Sequence, residues 1–207
     1  DYGALVDVTG DMLIHSNSWI YPYSQFSNGV SALFRARDFK VVGTNSGVDA
    51  STRGYAVHWG RSGIGPGGGQ YWGGGGGHGG KGGDRNGAGG VTNDSVYGPS
   101  HPGSSGAGWW FEWVPGEGGG VVRIDAARDA VVNGRILANG TSIGGLCGCG
   151  AGGTIDILCG HAFSGSGSLE AKGGSSFDVG YALAGAGGGG RIAVWQKISA
   201  IRRTSLL

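Results

Sequence analysis

The sequence predicts an all-β protein, and three observations predict it. Short runs with alternating apolar positions recur along the chain. No stretch of about ten to twelve residues keeps a 3.6-residue apolar period with caps. The strand-like runs beyond residue 120 also repeat one another. Taken in order, strands are expected at 5–8, 12–14, 19–21, 32–35, 39–42, 121–126, 135–138, 154–158, 168–171 and 191–195.

The repeat supplies the architecture. VVRIDAARDAVVNGRILANG (121–140) compares with GTIDILCGHAFSGSGSLEAKGG (153–174) and with the opening of a third unit, GGRIAVWQ (189–196). Ile124 aligns with Ile155 at a spacing of 31 residues, and Ile155 with Ile192 at 37. An earlier half unit, FKVVGTNSGVDASTRG (39–54), sets Val48 and Ala50 in the places of Ile136 and Ala138. Variable spacing between similar strand cores predicts a right-handed parallel β-helix, a solenoid forming a single domain over residues 1–207. A β-sandwich is the alternative and requires turns every 8–12 residues throughout. Residues 60–108 then form a long insertion on one face, and about 1–23 and 196–207 serve as terminal connectors.

Glycine supplies 51 of the 207 residues, several times the usual share of about 7 per cent. With 5 prolines and no strict third-residue glycine, collagen is excluded. An apolar fraction of 39% with 7 Trp, 7 Tyr and 6 Phe excludes a disordered chain. The densest run, GGGGGHGGKGG (73–83), loses much backbone freedom on ordering, so packing must offset that loss. Glycine without Cβ allows extended, three-residue-per-turn segments to pack backbone to backbone, a polyglycine II-like arrangement. Trp59, Tyr71 and Trp72 precede the run and Trp109, Trp110, Phe111 and Trp113 follow it, offering aromatic faces to bare backbone. His78 has two ring nitrogens to tie neighbouring glycine segments, and the Lys81 ammonium suits unpaired carbonyls.

A net charge of +1 with no basic face argues against nucleic acid as a partner. No apolar run reaches the 18 or so residues of a membrane-spanning helix. Asp1 in place of a start methionine fits either a chain processed by secretion or a truncated one, and two sequons, at Asn93 and Asn139, support secretion. Cys147 or Cys149 bridged to Cys159 would tie neighbouring strands and leave one thiol over. As a metal set the three cysteines lack a fourth ligand at familiar spacing, with His161 the one candidate to complete it. No metal and no cofactor are expected.

Gly75–Lys81 satisfies the first part of a phosphate-binding loop, but Gly82 follows where Ser or Thr is needed. Asp125 and Asp156 occupy equivalent places in successive units, with Glu170 on the returning strand, and are the best acidic candidates for sugar or cation chemistry. A polar ladder on a solvated sheet is the commoner reason for such a pair. No nucleophile constellation is visible, so no enzyme and no catalytic residue is expected.

SGVDASTRGYA (46–56), GPGGG (65–69), VYGPS (96–100), HPGSSG (101–106), GGGVVRI (118–124), GCGAGGTIDI (148–157) and AGGGGRIAVW (186–195) fall in an order that resembles glycine-rich β-helical surface proteins, adhesin-like and pectin-lyase-like. The glycine block is similar to the glycine-rich domain of anaplastic lymphoma kinase receptors and to phage tail-tip adhesins. The resemblance implies an extracellular structural or adhesive role. The first expectation is therefore a secreted subunit of a filament or surface layer whose partners are copies of itself, with Leu5, Val6 and Val8 as an assembly strand. The alternative is a binding module that recognises glycans or a cell-surface partner through Trp59, Trp72, Trp109, Trp110 and Trp113.

Overall fold

The structure is a computed structural model, and it describes residues 3–56, 62–109, 114–177 and 183–197. Every regular element among them is a strand: β1 (Ala4–Asp7), β2 (Met12–Ile14), β3 (Trp19–Ile20), β4 (Ala32–Ala36), β5 (Phe39–Val41), β6 (Gly47–Asp49), β7 (Val121–Ala126) and β8 (Asp129–Val132). The series continues with β9 (Arg135–Leu137), β10 (Ile143–Gly144), β11 (Thr154–Cys159), β12 (Ala162–Ser164), β13 (Ser168–Glu170), β14 (Ser176–Phe177) and β15 (Arg191–Gln196). No helix among the described residues is long and apolar enough to cross a membrane.

The expected single right-handed β-helix is corrected. The strands make four separate, short parallel sheets: β1-β4-β7-β11-β15, β12-β8-β5-β2, β13-β9-β6-β3 and β10-β14. The physical reason lies in strand length and spacing. Strands of two to six residues are broken by short turns, such as 37–38 and 127–128, and no described strand lies between β6 and β7, where glycine backbone pairs by other rules.

Burial explains why these runs are strands. β7 and β11 alternate between fully and partly buried residues, with Val122, Ile124, Ile155 and Ile157 facing the core. Register stacks like on like: Val6 lies opposite Phe34, Phe34 opposite Ile124, Ile124 opposite Ile157 and Ile157 opposite Val194. The three middle members of that ladder are at most 5% exposed, whereas Val6 and Val194 are each 38% exposed because nothing described lies beyond them. Phe39, Val41, Val48, Ala130, Val132 and Ile136 extend the same core under the other sheets. Each Val, Ile or Phe among them contributes about 1.5–3 kcal/mol by leaving water.

Two further expectations change. Residues 4–20 are not a connector outside the repeat, since β1, β2 and β3 pair in parallel with β4, β5 and β6. Leu5 and Val6 are accordingly held on one side by this chain's own β4, which leaves β1 only its outer edge for another copy; Val8 follows it with its amide bonded to the Arg35 carbonyl at 2.9 Å. The spacing of the units also shifts. Ile124 pairs with Ile157, 33 residues on, while Val122 takes Ile155. Val48 does sit opposite Ile136, as the half unit implies.

Candidate functional site, the glycine array and its buried histidine

Residues 148–153, the loop before β11, form the centre of the glycine-rich half. Every amide in the segment donates sideways and none donates within it. Gly148 and Ala151 donate to the carbonyls of Ala107 and Ser104 at 2.8 and 2.9 Å. Cys149 and Gly152 donate to Gly185 and Gly188, both at 2.9 Å, and Gly150 and Gly153 to Thr141 and Ala138 at 3.1 and 2.7 Å. Each neighbour is therefore revisited every third residue, the repeat of an extended three-residue-per-turn helix.

Carbonyls of the same segment accept from three more directions. Gly116 and Gly119 donate to Gly148 and Ala151, Gly76 to Cys149 and Gly174 to Gly150, all within 2.8–2.9 Å. Six backbone neighbours surround one segment, and that close approach is what glycine permits. A Cβ built on Gly150 would run into the carbonyl of Glu117. The glycine run at 73–83 is thus no insertion standing apart on one face. It interlocks with the loops between repeats, at 148–153 and 185–190, through Gly76, Gly80 and Gly83.

His78 sits inside this array and is 0% exposed. Its Nδ1 lies 2.9 Å from the Gly152 carbonyl and its Nε2 3.4 Å from Oδ2 of Asp94. Asp94, whose side chain is 3% exposed, also accepts from the amides of Ser95, Ser100 and His101 and from Nδ1 of His101 at 3.1 Å. Burial alone would raise the Asp94 carboxyl, but the hydrogen bonds from His78 and His101 outweigh it and hold the group well below the usual carboxylate range. Asp94 takes φ +68°, a left-handed conformation that asparagine and aspartate tolerate. Sequence reading missed Asp94; its two serine- and glycine-rich flanks mark a turn, but nothing in them marks a buried acceptor.

The other candidates fall as follows. Lys81 bonds the exposed carboxylate of Asp84 at 3.0 Å rather than glycine carbonyls. Trp72 is 39% exposed and meets Trp109 edge to face at 4.7 Å, while the Arg85 guanidinium covers the Trp109 ring at 4.2 Å. Trp59, Trp110 and Trp113 lie outside the described residues. The Asn93 amide donates to the carbonyls of Gly77 and Val91, and Asn139 Oδ1 accepts from the Lys172 amide at 2.7 Å. Cys147, Cys149 and Cys159 are free thiols, all buried, and burial raises each of them.

Asp125 and Asp156 do not stack on one another. The two-residue shift in register sets Asp156 opposite Arg123 and Asp125 opposite Leu158. Asp125 instead accepts from Arg35 at 3.3 Å, and burial pushes the Asp156 carboxyl up. Together with Leu33 they border a cleft of about 370 Å³ on the outer face of the five-stranded sheet. Glu170 pairs with Lys172 and Arg135, which hold it down to about 2.

Comparison with protein-family models, with curated proteins and with solved structures finds no match to this chain.

Proposed function

We propose that the chain is a non-enzymatic structural subunit that works outside the cell and assembles with copies of itself, end to end. The observation that carries this reading is the pair of open edges on the five-stranded sheet. β1 closes one edge and β15 the other, and neither pairs outward with any described strand. Both edges run parallel to the rest, and each ends the core ladder on a half-exposed valine, Val6 or Val194.

Open strand edges are templates for pairing with another chain. The two edges here are unlike one another, so copies joined edge to edge meet head to tail and the series does not close. The charges near the two edges are already engaged within the chain, Asp7 and Asp11 by Arg35 and Arg37, Arg191 by the Asn93 carbonyl and Lys197 by Asp125, so the backbone edges and the two valines carry the reading. The glycine array supports the reading from the other side, as a side-chain-poor body stiffened by lateral backbone bonds. Placement outside the cell rests on the sequence reading, namely the two sequons and the resemblance to glycine-rich surface proteins.

Electron microscopy of the purified chain over a range of concentrations tests the proposal. Filaments are expected, with Val194→Lys shortening or abolishing them while the monomer keeps its melting temperature. Monomers at every concentration would overturn it.

A further inference from the structure

The loop from Tyr23 to Ser31 adjoins the start of β1, with Gly3 and Ala4 beside it, and is tied together by its own hydrogen bonds. Gln25 Oε1 accepts from the Ser27 amide, the Ser27 hydroxyl and the Asn28 amide at 2.7, 2.7 and 2.9 Å. The Gln25 amide donates to the Val30 carbonyl at 2.8 Å, and the hydroxyls of Ser24 and Ser31 meet at 2.8 Å across the loop's base. A loop fixed in this way loses little entropy on binding.

Three adjoining cavities border this loop. One, of about 220 Å³, is walled by Tyr23, Phe26, Arg53 and Glu117. The next, about 450 Å³, shares Tyr23, Ser24 and Gln25 with the first. The third, about 300 Å³, shares Asn28 and Val30 with the second and ends at Ser100 and His101. Tyr21 and Tyr23, 52% and 71% exposed, lie on the Arg53 guanidinium at 4.8 and 5.0 Å from ring centre to cation. Such stacking fixes each ring's orientation while leaving one face to solvent.

At the far end His101 is aimed by its neighbours. Its Nδ1 faces Asp94, a carboxylate that only accepts, so that nitrogen carries the proton. The opposite nitrogen, Nε2, is left for a ligand hydroxyl, as acceptor or donor according to the ring's protonation. Thr154 Oγ1 anchors the His101 carbonyl at 2.7 Å, so backbone and ring are both held.

We propose that the rim built on residues 23–31 is a binding groove for a pyranose oligosaccharide. A sugar ring presents an apolar C–H face edged by hydroxyls, the pairing that an exposed tyrosine face beside Arg53 and the Asn28 amide meets. His101 Nε2 is placed to hydrogen-bond a hydroxyl of a sugar unit further along. Arg53 and Glu117 offset one another in charge, which disfavours a polyphosphate or nucleic acid. A path of three successive cavities fits a chain of sugar units better than a single small molecule. The groove lies on residues other than the tryptophans that the sequence singled out, and its middle cavity adjoins Gly3 and Ala4 at the start of β1, so binding is read on the unassembled chain.

Titrating the full chain with cellohexaose, chitohexaose and hexagalacturonate in a calorimeter tests the groove. Saturable binding of at least one of the three is expected, with Kd from about 10 μM to 1 mM. Tyr23→Ala and His101→Phe should each weaken it about tenfold, with far-UV circular dichroism unchanged. Phe177→Ala, which alters another exposed ring, should leave Kd where it was. The proposal is overturned if none of the three probes binds at about 10 mM, or if binding keeps its parental Kd in both groove variants.

Discussion

His78 Nδ1 lies 2.9 Å from the carbonyl of Gly152, at the place where a three-residue repeat from Gly76 would set the amide of Gly79. A side chain there replaces a backbone donor. The ring also reaches the other way to Asp94, so one buried imidazole couples the central glycine segment to the 94–101 turn. Both of its nitrogens face oxygen acceptors, and removing the ring strands both acceptors out of water.

His78→Ala should therefore destabilise the fold by about 2–4 kcal/mol, combining a cavity with a buried carbonyl and carboxylate left short of donors. Guanidinium unfolding monitored by circular dichroism reads this directly. A loss under about 0.5 kcal/mol would mean that the ring fills space and does little else.

Acid should unfold the chain through Asp94 and Glu170. Both carboxyls are held below their unfolded values, so between the folded and unfolded pKa the unfolded chain binds more protons and stability rises with pH. The stabilisation is complete above about pH 5 and falls away as pH drops below the unfolded values near 4. Asp94→Asn should flatten the slope of unfolding free energy between about pH 2 and 4. An unaltered slope would contradict the assignment.

Glycine substitutions should sort by backbone proximity rather than by sequence neighbourhood. Gly150→Ala sets a methyl against the Glu117 carbonyl and should cost about 2–4 kcal/mol, whereas Gly10→Ala meets nothing within 4 Å and should be neutral or slightly stabilising. Thermal melting of the pair checks the contrast.

Thiol titration separates the structure from the disulfide that the cysteine count suggests. None of Cys147, Cys149 and Cys159 should react with Ellman's reagent in the native protein, and all three should react in guanidinium without reductant. One reactive thiol in guanidinium would instead report a bridge.

The strands were legible where burial alternates. Val121–Ala126 and Thr154–Cys159 show their inward residues plainly, and the expected spans differ from the observed ones by at most a residue or so at each end. β6, β8, β10, β12 and β14 are absent from the expected spans: β10 and β14 are two residues each, Val131 and Val132 blur the alternation in β8, and β6 and β12 sit among glycine and serine. Register was harder. A slip of two residues keeps every side chain on its own face, so aligning Ile124 with Ile155 rather than Ile157 cost nothing in pattern and still misplaced Asp125 against Asp156. The lateral partners in the glycine array were illegible for another reason. A residue without a side chain carries no mark of what it will touch, so His78 was readable as a tie between glycine segments but Gly152 was not readable as its partner.

Amide hydrogen exchange across residues 148–153 tests the central claim, that lateral backbone bonds make the glycine-rich half as firm as the sheets. Protection of all six amides close to that of Ile124 and Ile157 is the predicted result. Exchange at the rate of an unstructured peptide in that segment, with β7 and β11 still protected, would contradict it.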